Sequence, residues 1–220
     1  DVAATFTNFA MSGIDKVHFG LEAAVSIPIY HTLALNGAVS WGQYTYDSNP
    51  YYLQTQDNSG DIVSDGYVYW KDFRVESTPQ TAVNVGLSWR SNNNIYLSAD
   101  FNYYNNMYLS MSPIYRTDAV ITGGMAPGDI EHLRRQEKFD SAYTLNASIG
   151  KNWYIHRKYT LGFSLDVKNI LNNQDIKTGG YEQTRLSKNT ETTVTTYQAF
   201  DSKYFYMFGT TYYLNLYFRF

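Results

Sequence analysis

The chain has 220 residues, 17% of them aromatic and 17% charged, with 22 tyrosines, no cysteine and a net charge of -3. That length supports one substantial domain, the near-neutral charge gives no footing for a nucleic-acid partner, and no disulfide can staple the fold. No stretch approaches the ~18 apolar residues of a membrane helix; the mean hydropathy of -0.40 does not exclude membrane strands, which turn only every second residue to lipid.

Residues 1–14 show no sustained period and end in Ser12-Gly13-Ile14, which reads as a loop or the top of a strand. From Asp15 to Ile27 the chain alternates, with Val17, Phe19, Leu21, Val25 and Ile27 on one face, until Pro28 stops it. A second strand puts Leu33, Leu35, Val39 and Trp41 on one face. A long polar stretch from about Tyr46 to Gln80 follows, in which Tyr67-Val68-Tyr69-Trp70 has the makings of a short strand. The third strand alternates through Val83, Val85, Leu87 and Trp89, and the fourth, after Ser91-Asn92-Asn93, through Ile95, Leu97, Phe101 and Tyr103. A second long stretch reaches Lys138, with one or two helical turns expected over Asp129–Gln136. The fifth strand carries Tyr143, Leu145, Ala147 and Ile149, and His156-Arg157-Lys158 turns the chain into the sixth, with Tyr159, Leu161, Phe163, Leu165 and Val167. A third long stretch, Asn172 to Ser202, leads to the last strand, Ser202–Phe220. There Tyr212, Leu214, Leu216, Phe218 and Phe220 share one face, and Thr211, Tyr213, Asn215, Tyr217 and Arg219 the other.

Short and long connections alternate strictly, which puts all three long loops at one end. That asymmetry belongs to outer-membrane barrels and has no reason to occur in a soluble sandwich. Roughly ten residues at ~3.3 Å each, tilted about 40°, rise about 25 Å, the height of an apolar band. The polar faces are mostly Gly, Ser, Asn, Thr and Tyr, with Arg90 and Asp100 the charged residues between Ala82 and Tyr104. A water-facing sheet would carry more Lys and Glu. Trp41, Trp89, Trp153 and Tyr159 stand near the ends of their apolar stripes, where interfacial girdles belong. The fold class expected is all-β, an antiparallel transmembrane barrel present as seven long strands. Seven is odd, so the first and last strands would meet in parallel. Residues 1–220 therefore read as the C-terminal part of a larger barrel, without a plug domain.

The long alternating terminal strand ending in Phe220 resembles the insertion signal of bacterial outer-membrane barrels. Asn169-Ile170-Leu171-Asn172 resembles the Asn-Leu-Phe-Asn element near the end of TonB-dependent receptors. The stretch Gly179-Gly180-Tyr181-Glu182-Gln183-Thr184-Arg185, and Lys203-Tyr204-Phe205-Tyr206, resemble receptors of this kind from Bacteroides-like bacteria. The resemblance implies an outer-membrane location and uptake of a glycan, peptide, siderophore or cobalamin with energy passed by TonB through an upstream part. Its implied partners are outer-membrane lipid, lipopolysaccharide and the barrel-assembly machinery, which reads the stripe Tyr212, Leu214, Leu216, Phe218 and Phe220. A surface lipoprotein cap, as in the SusC-like branch, stays open.

No catalytic constellation is present, and neither a metal nor a cofactor is assigned. His18, His31, His132 and His156 are scattered, without a His-Glu-x-x-His pattern, and no Gly-x-Ser-x-Gly elbow exists. Asp57, Asp61 and Asp65 lack the alternating ligands of a calcium loop and read as solvated. His132, Arg134 and Arg135 read as a solvated turn ahead of a contact with an anionic ligand or lipopolysaccharide. Tyr67, Tyr69 and Trp70 in the first long loop, with Tyr115 and Arg116 in the second, are the candidates for stacking on a ligand such as a sugar ring; the competing reading is packing within an aromatic rim. Two other functions compete with an energy-coupled receptor: a passive porin or structural barrel, and a soluble β-rich carbohydrate-binding module.

Overall fold

The computed structural model describes residues 6–156, 158–188 and 195–220. Residues 1–5 of the opening stretch, Arg157 of the third turn and residues 189–194 of the third long connection lie outside them. In chain order the strands are β1 (Thr7–Ser12), β2 (Lys16–Tyr30), β3 (Leu33–Tyr46), β4 (Tyr51–Gln56), β5 (Ile62–Tyr67), β6 (Thr81–Arg90), β7 (Ile95–Asn105), β8 (Ala142–Ile155), β9 (Tyr159–Lys168), β10 (Lys177–Lys188), β11 (Thr195–Tyr206) and β12 (Thr211–Arg219). Two short helices, α1 (Asp118–Ile121) and α2 (Pro127–Leu133), lie between β7 and β8.

The seven alternating segments are β2, β3, β6, β7, β8, β9 and β12. They form one antiparallel sheet in the order β12-β9-β8-β7-β6-β3-β2. Each pairs with the next alternating segment along the chain, so the sheet is a meander. Register keeps the apolar residues in rows across it: Ile27, Leu35, Leu87, Ala99, Ala147, Val167 and Tyr212 stand opposite one another in turn. A one-residue slip anywhere would throw a strand's apolar set to the other face. The sheet is open. Its end strands β2 and β12 run in the same direction, as expected of an odd count.

The long connections are structured, which their polar composition hid. β1, β4 and β5 form a three-stranded antiparallel sheet, and β10 and β11 a two-stranded one. The opening stretch is therefore a strand over Thr7–Ser12. Tyr67 ends β5 rather than beginning a strand, and beyond it Val68 makes a single bridge to Thr117. The helical turns expected over Asp129–Gln136 occur slightly earlier, as α2, with Pro127 in its first turn, where its missing N–H costs nothing.

The buried core sits at the long-loop end, not on the sheet. Tyr46, Tyr52, Val68, Trp70 and Met111 form one cluster, with Phe9 and Met11 of β1 packed on it. Leu109, Leu133 and Phe139 are buried in the second long connection.

One expectation is corrected. Ser202–Phe220 is not a single strand: β11 ends at Tyr206 and β12 starts at Thr211. The Asn169–Asn172 corner makes the break. Asn169 and Asn172 have φ of +52° and +50°, a conformation asparagine tolerates better than most residues. The buried Asn169 amide donates to the carbonyls of Asn173 (2.9 Å) and Phe208 (3.0 Å) and accepts from the Asn173 N–H (3.1 Å). Thr210 donates its hydroxyl to the Asn169 carbonyl (2.8 Å) and its N–H to Asn172 Oδ1 (3.1 Å). The backbone between β11 and β12 is thus held by side chains at the end of β9 instead of by a strand ladder.

Candidate functional site

Two surfaces of the sheet differ in kind. On one, Leu35, Leu87, Leu97, Leu145, Leu165 and Leu216 share a face, and none is buried; Leu216 is 70% exposed and Leu97 40%. Nothing among the described residues covers this face. Exposed apolar patches on soluble monomers rarely pass a few hundred Å². Aromatic residues close the stripes at both ends. Trp41, Tyr103, Tyr143 and Tyr212 stand toward the long loops, and Trp89, Trp153, Tyr159 and Phe218 toward the short turns. On β8, Tyr143 and Trp153 are ten residues apart, roughly 34 Å of strand, or about 26 Å of height at a 40° tilt. The terminal stripe Tyr212, Leu214, Leu216, Phe218 and Phe220 is exposed along its whole length.

The opposite face is polar and largely satisfied by its own neighbours. Asn36 accepts from Ser26 (2.7 Å) and donates to Ser88 (3.1 Å); Asn84 donates to Asn102 (2.8 Å); Ser98 and Ser148 share a bond of 2.8 Å. Tyr96 lies across Gly150 and Tyr217 across Gly162, in the space a Cβ would fill. Two open depressions of about 450 Å³ each lie on this face, one floored by Ala24, Ala38 and Ala82 and flanked by Glu22 and Asn84.

At the loop end the five ligand candidates separate. Tyr67 and Tyr69 are exposed, and Tyr67 meets the Tyr51 ring edge-on at 5.7 Å. Trp70 is buried, stacked on Tyr46 with ring centres 4.5 Å apart. Tyr115 is half-buried and donates its hydroxyl to the Thr184 carbonyl (2.8 Å). Arg116 is 2% exposed. Its guanidinium donates to the carbonyls of Leu133 and Ser112, each at 2.9 Å, and forms a two-pronged pair with Glu182. Trp70, Tyr115 and Arg116 thus hold the loops together, so the stacking role assigned to Trp70 and Arg116 is corrected. Burial leaves neither a free face.

The carboxylates in this region are similarly engaged. Glu137 accepts from the hydroxyls of Tyr204 (2.6 Å) and Ser202 (3.1 Å), and Lys177 approaches it at 3.7 Å. The bond to Glu137, with partial burial, raises the Tyr204 phenol above the usual tyrosine range. Asp57 accepts from Asn8 and Asp65 from Tyr51. Among the described residues no group of His, Asp and Glu is placed to hold a metal ion. His132 is exposed and lies against the Tyr197 ring at 5.2 Å, and Arg135 pairs with Glu131 one helical turn away. A recess of about 280 Å³ lies between α2 and the β10–β11 hairpin, lined by His132, Gln183 and Phe200 among others.

The chain matches no protein-family model, no curated protein and no solved structure. Function therefore rests on the geometry. Among the described residues no helix is long and apolar enough to cross a membrane, which does not bear on crossing by strands. Sequence reasoning missed Glu182, Glu137 and Asn169 as organising residues. Glu182 and Asn169 lie inside quoted motifs, but a partner up to 70 residues away leaves no local signal.

Proposed function

We propose that the seven-stranded sheet is a section of the wall of an outer-membrane β-barrel, with its polar face inward and its long loops outside the cell. The observation that carries this reading is the apolar face: uncovered, continuous in register across seven strands, and edged by aromatics at both ends. Lipid satisfies such a face, whereas water does not. A closed antiparallel barrel requires further strands between β2 and β12. The three structured long connections give the outer end a folded surface fit for binding a substrate. With the resemblance of Asn169–Asn172 and Gly179–Arg185 to TonB-dependent receptors, the function proposed is energy-coupled uptake, with TonB acting through an upstream part. The polar face favours this over a passive porin, because its Asn and Ser side chains bond to one another instead of forming the charged rings that line porin lumens.

The experiment uses the intact protein in vesicles containing brominated lipids, which quench tryptophan on contact. Single-tryptophan variants retaining Trp41, Trp89 or Trp153 should be quenched strongly, and one retaining Trp70 should not. Equal quenching of all four, or none, would overturn the membrane placement. Uptake is tested separately, by loss of growth on candidate substrates when the TonB-dependent energy supply is removed.

A further inference from the structure

The apolar face carries a single charge among the described residues, Lys151. It stands two residues inside Trp153 on β8, opposite Ile95 of β7 and Phe163 of β9. Its ammonium lies 5.2 Å from the centre of the Trp153 ring. Such a lysine buries its stem and sends its charge to the interface. In the turn that follows β8, the Lys158 ammonium lies 5.2 Å from the centre of the ring of Tyr159, the first residue of β9. Trp153 faces Leu161 and Ile155 faces Tyr159, so Trp153 and Tyr159 are diagonal neighbours on the same face, with backbone positions roughly 7–8 Å apart, while their rings lie against Phe163 and Phe218 respectively. Two cations, each beside its own aromatic ring, thus stand on adjacent strand ends at the level of the girdle toward the short turns.

Among the described residues, neither ammonium meets a carboxylate within salt-bridge distance. The short-turn end offers no side-chain carboxylate: residues 27–35, 87–97, 149–162 and 216–220 contain no Asp or Glu, but do contain Arg90, Lys151, Arg157, Lys158 and Arg219. A pair of uncompensated cations beside apolar rings, at the boundary of an apolar band, complements one chemistry: a phosphodiester whose acyl chains run along the band. We infer that Lys151 and Lys158, with Trp153 and Tyr159, form a binding site for an anionic glycerophospholipid in the leaflet at the short-turn end. This rests on the membrane reading above.

The test is native mass spectrometry of the intact protein released from nanodiscs containing equal phosphatidylglycerol and phosphatidylcholine, after flotation with vesicles has shown insertion. Wild type should retain phosphatidylglycerol preferentially. The double substitution Lys151→Met with Lys158→Met should reduce that preference about thirtyfold, and Lys151→Arg with Lys158→Arg should preserve it. Unchanged retention in the methionine variant overturns the site. Displacement of the lipid by inorganic phosphate at millimolar concentration also overturns it, because the site would then recognise free phosphate. A wild-type protein that fails to float with vesicles overturns the membrane reading and this site with it, a result distinct from failure at the lipid step.

Discussion

Replacing Arg116 by methionine should open the loop end without opening the sheet. Arg116 and Glu182 have side chains only 3% and 14% exposed, so solvent screens their attraction little. Methionine keeps most of the volume but removes both bonds to Glu182 and the donors to the Leu133 and Ser112 carbonyls. The Glu182 carboxylate keeps the Ser112 N–H at 2.5 Å but loses its countercharge. Breaking one side of such a buried pair costs about 3–5 kcal/mol, which raises the population of an open β10–β11 hairpin by about two to three and a half orders of magnitude. The assay is limited proteolysis of the intact protein in micelles, under conditions where cleavage follows the open population. Cleavage in the hairpin should accelerate by that factor, while heat resistance of the sheet is unchanged. The double variant Arg116→Met with Glu182→Leu should recover much of the protection, since an apolar pair replaces a buried ion pair at little cost. Cleavage of Arg116→Met within about threefold of wild type would refute the reasoning, as would a double variant no better than the single one.

Ala147→Arg, midway along the β8 stripe between Tyr143 and Trp153, should destabilise the inserted protein by about 2–4 kcal/mol; Ala38→Arg, at the polar-face depression, should be tolerated, and urea titration in vesicles compares the two. Asn169→Ala removes three hydrogen bonds from a buried amide and places a Cβ residue without a polar side chain at positive φ; a loss of about 2–4 kcal/mol is expected, read as a lower urea midpoint, and a midpoint equal to wild type would contradict the corner described above. Tyr204 donates to Glu137 only while protonated and has a raised pKa. Its contribution to holding the hairpin should therefore be complete below the ordinary tyrosine range near pH 10 and fall as pH climbs through the raised value. Proteolysis of wild type should accelerate there, and Tyr204→Phe should remove that step.

The seven long strands were legible in the sequence because each has to keep one face apolar along its whole length. A period of two with that contrast is readable locally, as in Val83–Trp89 or Tyr212–Phe218. The alternation of short and long connections then determined the meander and put every long loop at one end. The strands β4, β5 and β10 and the first part of β11 left no such trace. They sit in the long connections, where no face needs to be uniformly apolar, so Tyr51–Gln56 and Lys177–Lys188 read as polar loop. Tertiary structure alone decided which aromatic and basic residues remain free. Tyr67 and Trp70 are three residues apart in one segment, yet one is exposed and the other is stacked on Tyr46, because Trp70 lies where the ends of β3 and β5 converge. Arg116 looked like a ligand-binding cation until Glu182, distant in sequence, was found beside it. Strand periodicity is set by neighbours two residues away, and a chain reports it directly. Pairing across long connections depends on where those connections fold back, and only the coordinates carry that.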